Sequence, residues 1–138
     1  MEKLSVQEVE YEAFKLAREI MSFAEPIPDF STRFPNILES CLATPFQSFS
    51  GKTFYSGIIS KAAILFYLMI KNHPFQNGNK RIAVTTLLYF LYKNGKWIKV
   101  DAKELYEFAM WVTNSNSRFK KEIVTVVEKF IKFHIVDR

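Results

Sequence analysis

From Ile82 to Tyr92 the chain reads Ile-Ala-Val-Thr-Thr-Leu-Leu-Tyr-Phe-Leu-Tyr, without a charge and with apolar side chains on nearly every side of a helix. Such a helix has no face to give to solvent and must be surrounded by other helices. It predicts an all-α protein with this segment at its centre, starting near Asn79 and stopping at Gly95. The 14 Phe residues supply packing material, while 4 Gly and 5 Pro are too few for the many tight turns of an all-β sandwich. A chain of 138 residues has the length of one domain.

Other helices are arranged around that core segment. Ser5-Val6-Gln7-Glu8 has the form of a capping box, and apolar residues follow at Val9, Ala13, Ala17, Ile20 and Ala24. That helix must stop before Pro26 and Pro28. Asn36-Ile37-Leu38-Glu39 starts a shorter helix that ends before Pro45. Residues 45–54 mix aromatics with Ser, Thr and Gly51, which predicts an exposed loop or short hairpin. Further helices are expected over about 55–71, from Asp101 to about Thr113, and from Ser117 to about Val136. Trp97–Val100 reads as a short extended link.

Charge and cysteine content limit the functional classes. Cys41 is the single cysteine, so neither a disulfide framework within the chain nor a Cys-rich zinc site is available. The longest charge-free apolar run, Ala62–Ile70, lies between Lys61 and Lys71 and is too short to cross a bilayer. The acidic amphipathic start does not read as a signal peptide, and a cytoplasmic location is expected. The net charge is +5, with acids in excess over residues 1–25 and bases in excess over residues 117–138. No helix-turn-helix or zinc-finger pattern accompanies the basic end, so a solvated helix face is expected there rather than a nucleic-acid site.

The segment His73-Pro-Phe-Gln-Asn-Gly-Asn-Lys-Arg81 joins the two most apolar helices and concentrates polar, basic and glycine residues between core elements. Pro74 discourages continuation of the preceding helix. Phe75 can anchor the loop, and Gly78 permits a positive φ. Lys80 and Arg81 then fall in a helix first turn, where cations oppose the macrodipole at roughly 0.3–1 kcal/mol each. Two readings fit. The cations and the free N–H groups form an anion site, or the segment is a plain turn with incidental charges. In the first reading His73 is a general base beside the anion, whereas His134, near the C-terminus, is read as structural.

This segment resembles the signature of the Fic/Doc family, His-x-Phe-x-Asp/Glu-Gly/Ala-Asn-Gly/Lys-Arg. Leu38–Ala43, Lys61–Leu65, Leu87–Leu91 and Asn94-Gly95 add a likeness to its Doc (death-on-curing) branch. The resemblance covers about residues 5–115, leaving 117–136 as a C-terminal helix of one domain, 1–138. It implies a compact Fic-type helical bundle. His73 would take a proton from a hydroxyl of a target protein. Gly78, Asn79, Lys80 and Arg81 would hold nucleotide phosphates, and Phe75 would anchor the loop. Phe46, Gln47, Ser48 and Phe49 would belong to a flap that pairs with the target by strand addition.

Position 80 is where the resemblance separates two reactions. AMP-transferring relatives generally carry Gly there and Doc-type toxins Lys. Lys80 therefore implies transfer of the γ-phosphate of ATP to a Ser or Thr, in the Doc case on elongation factor Tu. Asn77 departs from the pattern, which has Asp or Glu as a Mg²⁺ ligand. An amide offers that ion a dipole in place of a charge. The alternatives are an AMP-transferring Fic enzyme and a catalytically weakened protein that binds nucleotide or a partner. No Ser/Thr-x-x-x-Glu-Gly/Asn string of an internal inhibitory helix is present, so restraint is expected from a separate antitoxin chain.

Overall fold

Ser5 opens the first helix as its sequence requires. Its hydroxyl accepts the Glu8 N–H at 3.1 Å, and the Glu8 carboxylate accepts the Ser5 N–H at 2.9 Å. In the computed structural model, which describes residues 1–21 and 26–138, this helix runs through α1 (Val6–Glu8), a π-helical turn (Val9–Ala13) and α2 (Phe14–Ile20). It ends with Met21; Ala24, expected on its apolar side, lies outside the described residues. A short 3₁₀ turn, Phe30–Thr32, is capped by Asp29. Helix α3 (Pro35–Ala43) follows, with its proline in the first turn, where no N–H is needed.

The predicted hairpin is present. Strands β1 (Ser48–Phe49) and β2 (Lys52–Thr53) pair antiparallel across Ser50 and Gly51, both with positive φ as in a two-residue turn of the I′ kind. Phe46 lies just before the two strands. It sits in a 3₁₀ turn (Thr44–Phe46), packs edge-on against Phe90 at 6.2 Å and lies beneath the Lys61 ammonium.

Helices α4 (Gly57–Lys71) and α5 (Asn79–Lys93) share the centre. Every residue of α4 from Lys61 to Ile70 is buried, so this helix is as enclosed as α5. Lys61 tolerates burial because its ammonium donates to the Tyr55 carbonyl and faces the Phe46 ring. Helix α4 packs on α3, α5, α6 (Ala102–Thr113) and α7 (Lys120–His134), and α5 packs on α2, α4 and α6. The apolar character of α5 does not extend over its last turn, where Tyr92 is 49% exposed.

The C-terminus differs from the expected helix to Val136. Helix α7 stops at His134, and β4 (Ile135–Asp137) pairs antiparallel with β3 (Lys96–Ile98). β-Branched Ile135 and Val136 favour extended backbone when a partner strand is at hand, and the link around Trp97 supplies it. The start of α7 is also modified: Asn116 caps a 3₁₀ turn (Ser117–Phe119) before the helix proper. His134 Nδ1 lies 2.9 Å from the Phe130 carbonyl, consistent with a structural role.

Cys41 is fully buried on α3, and burial pushes its thiol up to about 12. The reactive thiolate is therefore scarce at neutral pH. Iodoacetamide is expected to leave Cys41 unmodified in the native protein and to label it after denaturation. Labelling of the native protein at the rate of a free thiol would contradict this packing.

Candidate active site

The loop between α4 and α5 is shaped by its own side chains. Pro74 ends the helical run, and His73 turns the backbone with φ of 50°. Histidine is among the few non-glycine residues enriched at positive φ. Phe75 is 1% exposed and packs against Phe14 at 5.4 Å and Phe30 at 6.1 Å, so the anchoring role read from the sequence is present. The Phe34 N–H donates to the Pro74 carbonyl at 2.8 Å. Asn79 then closes the turn: its Oδ1 accepts the Phe75 N–H at 3.0 Å and its Nδ2 donates to the Phe75 carbonyl at 2.8 Å.

Gly78 is the N-cap of α5, with φ of 70°. A Cβ on it would lie 2.7 Å from the Pro26 carbonyl oxygen and 2.7 Å from Pro28 Cδ. Both the turn and the close approach of the 26–28 segment therefore require glycine.

These elements enclose a cavity of about 270 Å³ lined by Ile70, His73, Gln76, Asn77, Gly78, Asn79, Lys80 and Thr113. The far wall belongs to α6, whose C-terminal end is held by Lys71. The Lys71 ammonium donates to the carbonyls of Thr113 at 3.2 Å and Ser115 at 2.6 Å. His73 is exposed, and its Nδ1 lies 3.5 Å from Asn79 Nδ2. A contact of that length orients the ring weakly. The first turn of α5 contains Lys80 and no acid, and its N–H groups lack intrahelical acceptors. No carboxylate lines the cavity among the described residues, while Lys80 and the α5 N-terminus both favour an anion there.

Not every residue of the motif faces this space. Arg81 is buried, is absent from the lining, and donates from an Nη to the Ala17 carbonyl at 3.0 Å. Successive helical residues point about 100° apart, so Lys80 and Arg81 cannot share one face. Through this bond Arg81 ties α5 to α2. Asn79 lines the cavity, and its amide is engaged with the Phe75 backbone. Asn77 lines the cavity without a side-chain hydrogen bond to the described residues, and its φ is not positive.

Hairpin β1–β2 is rooted before the N-terminus of α4, whereas His73 follows its C-terminus, a separation of ~22 Å along the helix axis. Phe46, Gln47, Ser48 and Phe49 do not line the cavity. One helix alone separates hairpin and motif, and a single straight helix keeps its ends apart. Gln76 was inside the motif but not singled out by its residue type. Ile70 and Thr113 were also missed; Thr113 carried no signal, because it reaches the site only through the packing of α6 on α4 and α5.

Residues 7–91, more than half of the chain, match the sequence model of the Fic/DOC family. The chain belongs to the Fic/DOC family. Fic/DOC proteins are typically transferases that move nucleotide-derived groups to other proteins, and the all-α bundle observed here suits that fold. The matched stretch runs from α1 to Leu91 in α5 and includes the whole His73–Arg81 motif. Comparison with curated proteins and with solved structures finds no match.

Proposed function

We propose that this Fic/DOC protein transfers the γ-phosphate of ATP to a Ser or Thr hydroxyl of another protein, with elongation factor Tu as the expected target. The observation carrying this reading is the position of Lys80. Its side chain lines the same cavity as His73, at the N-terminus of α5, where a polyphosphate meets both a cation and free N–H groups. The cavity is close to the lower end of the roughly 300–1,000 Å³ range of ligand pockets, which suits the phosphate end of a nucleotide.

His73 takes the proton of the target hydroxyl as its oxygen bonds to the γ-phosphorus. The bond from that phosphorus to the β–γ bridging oxygen breaks, and ADP leaves with the electron pair. Lys80 and the α5 N-terminus offset the negative charge of the phosphates, and positioning supplies most of the rate. Asn79 and Phe75 hold the loop in register, and Lys71 fixes the opposite wall.

Mg²⁺ is not matched by the donor set of this cavity. Asn77 and Gln76 offer neutral amide oxygens, whereas Mg²⁺ favours one or two carboxylates together with phosphates. No step is assigned to that ion. Asn77→Asp is expected to raise the rate and steepen its dependence on Mg²⁺. Titration of transfer against Mg²⁺ checks this, with mass spectrometry confirming residue 77, since an Asn before Gly is prone to deamidation. Equal rates and equal Mg²⁺ dependence in the two proteins would leave Asn77 as a turn residue.

ATP labelled separately at the α- and γ-phosphates, offered with a bacterial lysate, tests the reading. Label from the γ-position alone supports phosphorylation. Label from the α-position identifies AMP transfer, and label from neither identifies a binding protein. A partner chain acting as antitoxin belongs to the same proposal and would suppress the γ-label.

A further inference from the structure

At the opposite end of α5 from His73 lies a second cavity, of about 300 Å³, which the transfer reaction does not use. Its aromatic lining consists of Tyr89, Tyr92 and Trp97. The two tyrosine rings are within 27° of parallel, with centroids 6.3 Å apart. The indole of Trp97 stands at 85° to Tyr92, at 6.4 Å. The three rings form a right-angled corner. The remaining charged lining is Glu12, Glu19 and Lys15, with the Arg138 guanidinium over the Tyr92 ring at its edge.

This cavity has two features of a cation site. Ring faces attract cations through their quadrupoles, and nearby carboxylates add a full charge. The chain already shows the first of these interactions, with the Arg138 guanidinium 4.5 Å from the Tyr92 centroid. Burial, together with the charges of Glu8 and Glu12, holds the Tyr89 hydroxyl above the usual tyrosine range. Glu12 itself lies in the π-helical turn Val9–Ala13, a local departure from α geometry that occurs frequently at functional sites.

We propose that this cavity binds an organic cation, a guanidinium or alkylammonium group with an apolar body. The rings receive its apolar surface, and Glu12 and Glu19 face its charge. The same chemistry is offered by a free small cation and by an arginine side chain of a peptide.

The test uses the full chain and the two tryptophan indole N–H resonances, with Trp111→Phe assigning that of Trp97. Choline and N-acetylarginine amide are titrated separately, with 3,3-dimethylbutanol as the neutral isostere of choline. A saturable shift at Trp97 with either cation, about tenfold tighter than with the neutral alcohol, is expected. Choline alone would point to a free cation, and the arginine amide alone to a peptide. The exposed double variant Glu12→Gln/Glu19→Gln is expected to keep its fold and to weaken binding by roughly fivefold. No saturation up to ~50 mM cation, equal binding of the alcohol, or unchanged affinity in the double variant would overturn the proposal.

Discussion

Replacing His73 with alanine is expected to lower group transfer by ~10²–10⁴-fold, the usual contribution of a general base. The ring lines the cavity beside Lys80, is exposed to an incoming hydroxyl, and is only weakly held by Asn79 at 3.5 Å. It makes none of the contacts that hold the loop, which come from Phe75, Pro74 and Asn79. The fold and the affinity for ATP should therefore persist. The positive φ at residue 73 complicates the alanine variant, because alanine is disfavoured there. His73→Asn is the companion, since Asn tolerates that backbone while lacking a basic ring. Both variants should lose transfer and keep nucleotide binding by calorimetry. Turnover near that of the parent in either one would remove His73 from the chemistry.

Gly78→Ala is expected to have the largest effect on stability, a loss of about 2–5 kcal/mol. The cost has two parts. Positive φ costs an L-residue roughly 1–2 kcal/mol, and forcing a methyl into a filled space costs typically 1–3 kcal/mol. Here the added Cβ would lie 2.7 Å from a backbone carbonyl and from a proline ring, neither of which can swing away like a long side chain. Gly95→Ala is the control: its φ is +81°, but its Cβ would meet nothing within 4 Å. Thermal unfolding should therefore fall by roughly 10 °C for Gly78→Ala and by about half that or less for Gly95→Ala. Equal losses would show that the approach of Pro26 and Pro28 carries no energetic weight. Because Gly78 caps α5, the surviving folded protein should also transfer more slowly, with the α5 N-terminus displaced from His73.

Much of this protein was legible from local chemistry. The capping box at Ser5, the charge-free core of α5, the break at Pro74 and the positive φ at Gly78 each follow from a few neighbouring residues. Each of them appears in the structure. The loop anchor Phe75 was also legible, because a lone aromatic in a polar segment has few places to go but the core. These features fix an all-α bundle with a polar, basic loop between its two inner helices.

Other features depended on contacts between residues distant in sequence. Lys80 and Arg81 are adjacent and both basic, yet one lines the cavity and the other crosses to the Ala17 carbonyl, because helical rotation separates neighbours. The hairpin at 48–53 formed as expected, but the single helix α4 holds its root away from His73. The strand at 135–137 exists because residues 96–98 lie beside it, and Thr113 joins the site because Lys71 holds the end of α6. Sequence by itself determined which segments are helical and where the reactive loop lies, since propensity, capping and apolar pattern act over a few residues. Tertiary packing decided which side chains of that loop face one space and what closes it, since those outcomes depend on the relative placement of helices many residues apart.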